Sequence, residues 1–179
     1  MAATGEAVLD ERDVTECIKR IAEEILSRGC CGDLAVIGIK ARGEVIARRI
    51  AERLQASCPD NVPVGALDIA LYRDDLGRSG RPPEVRGTEI EFDVNGKDLV
   101  LVDDVLYTGR TVRAALDQII DFGRPKRIQL AVLIDRGHRE FPIAADYVGK
   151  SLEISASKLI EVHLREMDGK DEVVIKSSP

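Results

Sequence analysis

No stretch of this 179-residue chain approaches the roughly 20 consecutive apolar residues that cross a bilayer. The opening MAATGEAVLDERDV also lacks the basic start and apolar run of a secretory signal. Together these absences exclude a membrane-spanning class and predict a cytoplasmic protein. An excess of positive charge is missing as well, since 26 Lys and Arg against 32 Asp and Glu leave a formal charge of −6. A surface coated in positive potential is therefore excluded but a local basic face is not, so nucleic-acid binding is neither announced nor excluded. Cysteine is sparse: Cys17, Cys30, Cys31 and Cys58 lack zinc-ligand spacing, and two adjacent thiols make a poor disulfide framework. All four read as reduced, mostly packing residues. Internal repeats and low-complexity tracts are absent too. What remains, 44% apolar and 32% charged residues, is the composition of one globular domain spanning residues 1–179.

The most informative stretch is LVLVDDVLYTGRTVRAAL, residues 99–116. Four consecutive apolar residues, Leu99 to Val102, predict a strand buried on both faces and ending at two carboxylates, Asp103 and Asp104. A short loop with Thr108 and Gly109 follows, and from Thr111 the apolar spacing becomes helical through Val112, Ala115, Leu116 and Ile119. A strand, a Gly/Thr turn and a helix N-terminus make a phosphate cradle, because free N–H groups and the positive helix end converge there. Paired carboxylates beside such a cradle can accept hydrogen bonds from a sugar diol or help hold a divalent metal. The stretch thus points to a sugar-phosphate site; the alternative is an ordinary turn with solvated acids.

In chain order, Val14 to Arg28 carries an apolar stripe at Val14, Cys17, Ile18, Ile21, Ala22, Ile25 and Leu26, predicting a helix with Asp13 as N-cap and Gly29 as stop. Leu34 to Ile39 reads as a strand, followed by the basic loop Lys40, Ala41, Arg42, Gly43 and a second helix ending near Pro59. Two cationic side chains and a glycine that lets the backbone approach suit an anion, unless the pair merely solvates a turn. Val64 to Leu71 is a further apolar run, so strands alternate with helices as in an open α/β sheet. Residues 72–88 then form a Gly-, Pro- and Arg-rich segment, read as a flexible lid whose Arg73, Arg78, Arg81 and Arg86 can close over an anion. Thr88 to Val94 predicts a strand returning through Asn95-Gly96 as a hairpin into the strand at Leu99. Arg127 to Ile134 is another strand, leading into a basic cluster of Arg136, His138 and Arg139 beside Asp135. A lone His in a polar loop is more often a hydrogen-bonding or RNA-contacting group than a base. The tail alternates across Asp168-Gly169 as a terminal hairpin.

VLVDDVLYTGRT resembles the 5-phosphoribosyl 1-diphosphate (PRPP) signature of type I phosphoribosyltransferases. With IGIKARG, ALDIALYRDDL, RPPEVRGTEIEF and VLIDRGHREFPIAADYVGK, most of the chain to Lys150 resembles the PyrR family, RNA-binding attenuation regulators of the pyr operon that are also uracil phosphoribosyltransferases. The resemblance implies the type I phosphoribosyltransferase fold, a central mostly parallel sheet flanked by helices, with a lid hairpin and a C-terminal hairpin. It implies transfer of ribose 5-phosphate from PRPP to uracil, giving UMP and diphosphate with Mg²⁺. Asp103, Asp104, Arg42 and Arg73 become the catalytic set. Lys40, Ala41, Arg42 and Gly43 would take the diphosphate, Asp103 and Asp104 the ribose hydroxyls and the Mg²⁺ carried by PRPP, and Tyr107, Thr108, Gly109, Arg110 and Thr111 the 5-phosphate. Ile134, Asp135 and Arg136 would hold uracil. Related purine transferases carry an acid where this chain has Tyr107, so no general base is assigned there. Lys19, Arg136, His138 and Arg139 would meet pyr leader RNA on a homodimer or higher homo-oligomer. Two departures stand out: Lys19, Glu23 and Glu24 replace the Thr, His and single Glu usual in the first helix, and Glu153 replaces a common proline. The competing expectations are a nucleotide-sensing RNA regulator with little turnover, and a transferase for another base.

Overall fold

The computed structural model describes residues 5–29, 32–72 and 87–177, so Cys30, Cys31, Arg73, Arg78, Arg81 and Arg86 lie outside the described residues. In chain order the elements are β1 (Glu6–Leu9), α1 (Glu11–Ser27), β2 (Leu34–Ile39), α2 (Arg42–Gln55), β3 (Val64–Leu67) and β4 (Asp98–Leu106). They continue through α3 (Arg110–Phe122), β5 (Arg127–Asp135), β6 (Tyr147–Ser151), β7 (Lys158–His163), α4 (Arg165–Asp168) and β8 (Glu172–Ser177). Five strands form a parallel sheet in the order β3-β2-β4-β5-β6, and β1-β8-β7 form an antiparallel sheet beside it.

Both faces of the parallel sheet are covered, which is why its strands read as unbroken apolar runs. Val36, Val100, Val102, Ala131 and Leu133 pack with Ile18, Ile21 and Ile25 of α1 and Ile46 and Ile50 of α2. Their neighbours Ile37, Leu99, Leu101, Leu130 and Val132 point the other way, onto Val112, Ala115 and Ile119 of α3. The first cluster also takes in Leu9, Val162, Leu164 and Val173, joining the small sheet to the large one. Cys17 and Cys58 are buried in the core, as packing residues should be. Among the described residues no helix is long and apolar enough to cross a membrane.

Several boundaries depart from expectation. Helix α1 starts at Glu11, not Val14, and its N-cap is Asp10; Asp13 is the third helical residue and closes a reciprocal capping box with Asp10. A polar first turn carries no apolar period, so the stripe alone starts the helix late. Strand β4 runs past its aspartates because Asp103, Val105 and Leu106 still pair with Val132, Ile134 and Asp135 of β5. Its ladder with β2 stops earlier, at Gly38 opposite Val102, which leaves the carboxylates beside an open edge. The hairpin predicted for Thr88 to Val94 is not formed, since β2 and β5 occupy both edges of β4. Instead Glu89 makes a single antiparallel bridge to Ala66 of β3, and Asn95-Gly96 turns toward Arg124 at the end of α3. Strand β3 stops at Leu67, whereas the apolar run had extended it to Leu71. The terminal hairpin forms as β7 and β8, with α4 at its turn and β1 added along β8. Strands β1 and β6 were not foreseen.

Candidate functional site

From β2 the chain winds outward to β3 on one side, and from β4 it winds through β5 to β6 on the other. The carboxyl ends of β2 and β4 therefore flank a topological switch point, where open α/β sheets leave a crevice for ligand. Each strand is followed there by a helix whose N-cap residue supplies no side-chain cap. The N-cap of α2 is Ala41 and that of α3 is Gly109, and neither gives a side-chain hydrogen bond to the first turn, in contrast to the closed capping box of α1. Helix N-termini whose first N–H groups are not taken by the N-cap side chain suit external anions.

The loop after β4 is built from main chain. Gly109 has φ 90°, a left-handed conformation that favours glycine, and a Cβ there would also come within 3.2 Å of Phe141. Thr108 Oγ1 accepts from the Arg110 N–H at 3.3 Å, and the Thr108 carbonyl accepts from Glu140 and Phe141. A cavity of about 220 Å³ is lined by Asp103 and residues 105–112. Asp103 is buried, and burial together with the neighbouring Asp104 carboxylate raises its pKa well above the ordinary carboxylate value. Each aspartate accepts from the next main-chain N–H, Asp103 from Asp104 and Asp104 from Val105, both at 2.9 Å. The Arg110 guanidinium turns away to Glu140 at 2.6 Å.

The loop after β2 is built from charge. Its Lys40–Ala41 peptide is cis. Lys40 is nearly enclosed, with 9% of its side chain exposed, and its Nζ lies 2.6 Å from Glu89 Oε1. Arg42 meets Asp168 of α4 at 3.1 Å, and its Nε is buried without a partner. Gly43 joins the two loops: a Cβ there would stand 2.5 Å from the Val102 carbonyl and 3.2 Å from the Asp103 Cα.

The remaining sequence candidates take three kinds of place. Ile134 is fully buried, so its side chain belongs to the core. The Arg136 guanidinium lies 4.0 Å from the centre of the Tyr107 ring, is buried, and donates to the Ser155 carbonyl. Asp135 pairs with Arg139 at 2.6 Å, and Arg139 also donates to the carbonyls of Tyr107, Gly137 and Ile143. Its donors thus tie the segment after β5 to the phosphate-type loop. His138 contacts the Ile154 carbonyl through Nε2 at 2.8 Å and meets the Tyr107 ring edge-on. Lys19 is half exposed between Glu16 and Glu23, at 3.5 and 4.0 Å. Sequence reasoning missed Glu89 and Asp168, the two carboxylates facing the basic loop. Their partners are 49 and 126 residues away, and no local pattern marks such a pairing.

Comparison with known proteins agrees with this architecture. The phosphoribosyl transferase domain family matches residues 4–166. The Bifunctional protein PyrR of Pelotomaculum thermopropionicum is 54% identical over 176 residues, covering 98% of this chain and 97% of the relative. The chain belongs to the PyrR family. The Bifunctional protein PyrR of Roseiflexus sp. is 56% identical over 163 residues, covering 90% of this chain and 89% of that protein. Among solved structures, a hypoxanthine phosphoribosyl transferase of Trypanosoma cruzi superposes with a TM-score of 0.73 at 17% identity, covering 98% and 93% of the two chains. A hypoxanthine-guanine phosphoribosyltransferase of Bacillus anthracis gives 0.69 at 18% identity, with 99% of each chain covered. At such identities the likeness is one of fold.

Proposed function

We propose that the two loops at the switch point bind PRPP and that this PyrR-family protein carries out uracil phosphoribosyl transfer at their junction. The observation that carries the reading is the close approach of Gly43 to Val102 and Asp103, which sets the cationic loop against the main-chain cradle at the start of α3. In this reading the α3 start and Thr108 hold the 5-phosphate, Asp103 and Asp104 face the ribose, and Lys40 and Arg42 take the diphosphate leaving group. Catalysis is then placement of charge around an oxocarbenium-like sugar. The Tyr107 ring, covered on one side by Arg136, offers no carboxylate for proton transfer.

Phosphoribosyltransferases generally use Mg²⁺ with their diphosphate donor. Among the described residues no three His, Cys, Asp or Glu side chains gather as a metal cage. Two adjacent carboxylates beside an anion cradle still fit Mg²⁺, which takes one or two carboxylates together with substrate phosphates and water. Asp103 and Asp104 are the residues we assign to it, and the ion would offset diphosphate charge.

The decisive experiment is formation of UMP from labelled uracil and PRPP with Mg²⁺; no UMP at any pH or Mg²⁺ concentration refutes the enzymatic assignment, and competition by other bases tests the choice of uracil. For the regulatory half we infer binding of pyr leader RNA, strengthened by UMP, by a homodimer or larger assembly. A gel shift with and without UMP tests the first part and sedimentation the second. Affinity equal to that for unrelated RNA at the same salt counts against it. The internal engagement of Arg136 and Arg139 favours an RNA face that relies on other cations, and Lys19 must act between two glutamates.

A further inference from the structure

Lys40 and Glu89 form an asymmetric pair. The lysine side chain is 9% exposed and the glutamate side chain 61% exposed, at a separation of 2.6 Å. An ammonium so enclosed needs an acceptor, since an unpaired buried charge is costly. The glutamate can turn into water at little cost. Its main chain stays in place because its N–H and carbonyl both pair with Ala66 of β3, at 2.7 and 2.8 Å. The carboxylate is thus presented to Lys40 by a fixed backbone and is free to leave.

The partner of Arg42 is built differently. Asp168 is 25% exposed, and its second oxygen accepts the Leu164 N–H at 2.9 Å, so it also serves the turn that carries α4. Loss of that contact would leave a main-chain donor unpaired. One cation of the loop therefore has an anchored partner and the other a displaceable one.

We propose that Glu89 is a built-in counter-ion that sets the affinity of the basic loop for diphosphate, occupying the Lys40 ammonium until ligand oxygens replace it. The inference rests on the reading of residues 40–43 as the diphosphate loop. Exchange of one anion for another keeps the enclosed lysine paired throughout, and the competing carboxylate lowers apparent affinity by the strength of its own contact. The Lys40 hydrogen bond holds the Glu89 carboxyl below its ordinary range, so the competitor is charged at neutral pH.

The test is calorimetric titration of the full chain with inorganic diphosphate, in the absence of uracil. Glu89→Gln keeps the side-chain shape and removes the charge, and it should bind diphosphate roughly threefold to tenfold more tightly than the parent, the range expected for losing one partly screened ion pair. Lys40→Ala should weaken binding, and adding Glu89→Gln to it should change nothing further. In the transfer assay Glu89→Gln should lower the KM for PRPP, a direction that mere loss of structure does not produce. If Lys40→Ala weakens binding while Glu89→Gln leaves it equal or weaker, the counter-ion role is overturned and the diphosphate loop stands. If Lys40→Ala binds diphosphate as the parent does, the loop assignment itself fails. Glu89→Ser repeats the measurement should the glutamine variant be poorly folded.

Discussion

The two loops of the site meet at one point yet are built on opposite principles. The loop after β4 offers main-chain donors, a hydroxyl and a left-handed glycine, and its one arginine points away to Glu140. The loop after β2 offers side-chain cations, and both are already paired, Lys40 with Glu89 and Arg42 with Asp168. A cradle of N–H groups is fixed by the fold and carries no net charge, so it can stand open. Cations packed into a crevice cannot, and they require resident carboxylates. On the proposed assignment, the difference separates a site selected by geometry from one whose affinity is set by competition.

The largest expected effect falls on the acidic loop. Asp104→Asn should reduce uracil transfer by roughly 100-fold or more, in the range seen when one preorganised electrostatic contact is removed, with a Tm close to that of the parent. Unchanged turnover removes Asp104 from the site and breaks the contrast. Next is the junction itself. Gly43→Ala drives a methyl group into the Val102 carbonyl and should cost about 2–3 kcal/mol, a fall in Tm of roughly 4–12 °C, with both loops displaced. A soluble variant with parental Tm and a parental PRPP KM shows that the loops are independent.

Arg139→Ala comes third. It strips the Asp135 carboxylate and several carbonyls of a donor and should destabilise the protein by about 1–3 kcal/mol, so any loss of RNA affinity should accompany a lower Tm. Loss of RNA binding at unchanged Tm would place Arg139 directly at the RNA face. The smallest effect concerns Asp103, whose pKa is raised in the folded state by burial and by Asp104. The folded protein then holds a proton that the unfolded chain releases, so this residue costs stability as pH rises from the unfolded value through the folded one. Asp103→Asn cannot titrate. Its Tm relative to the parent should therefore be higher at pH 8 than at pH 4, and a difference of the opposite sign refutes the raised pKa of Asp103.

Where burial is two-sided the chain can be read directly: Leu99 to Val102 and Leu34 to Ile39 are apolar throughout because helices cover both faces of their sheet. The phosphate-type turn was legible for a similar reason, since Thr108, Gly109 and the helical spacing from Val112 are consecutive. What escaped depends on distant partners. Strand β1 is four residues long and half exposed, and it exists by pairing with β8 at the other end of the chain. Strand β6 is short and ends in exposed Lys150 and Ser151, so its pairing with β5 leaves no clear period. Thr88 to Val94 looked like a strand, and the Asn-Gly turn suggested a partner that β2 and β5 had already displaced. Arg136 and Arg139 looked like a basic surface, although an arginine's charge in the sequence does not reveal that Arg136 is buried against the Tyr107 ring or that Arg139 spends donors on Asp135 and carbonyls of its own fold.

The contact at Gly43 has a consequence for how this molecule measures what it binds. It is made by main chain against main chain, where the first turn of α2 rests on β4 beyond the end of its ladder with β2. On the proposed assignment, the gap between the diphosphate loop and the 5-phosphate cradle is therefore fixed by how closely α2 seats on the sheet, like the pitch of a screw. Substitutions elsewhere in either loop can loosen or tighten the grip at one end while leaving the span untouched. On the proposed assignment, a ligand whose phosphate groups are spaced differently is disfavoured by this packing as well as by the side chains of the two loops.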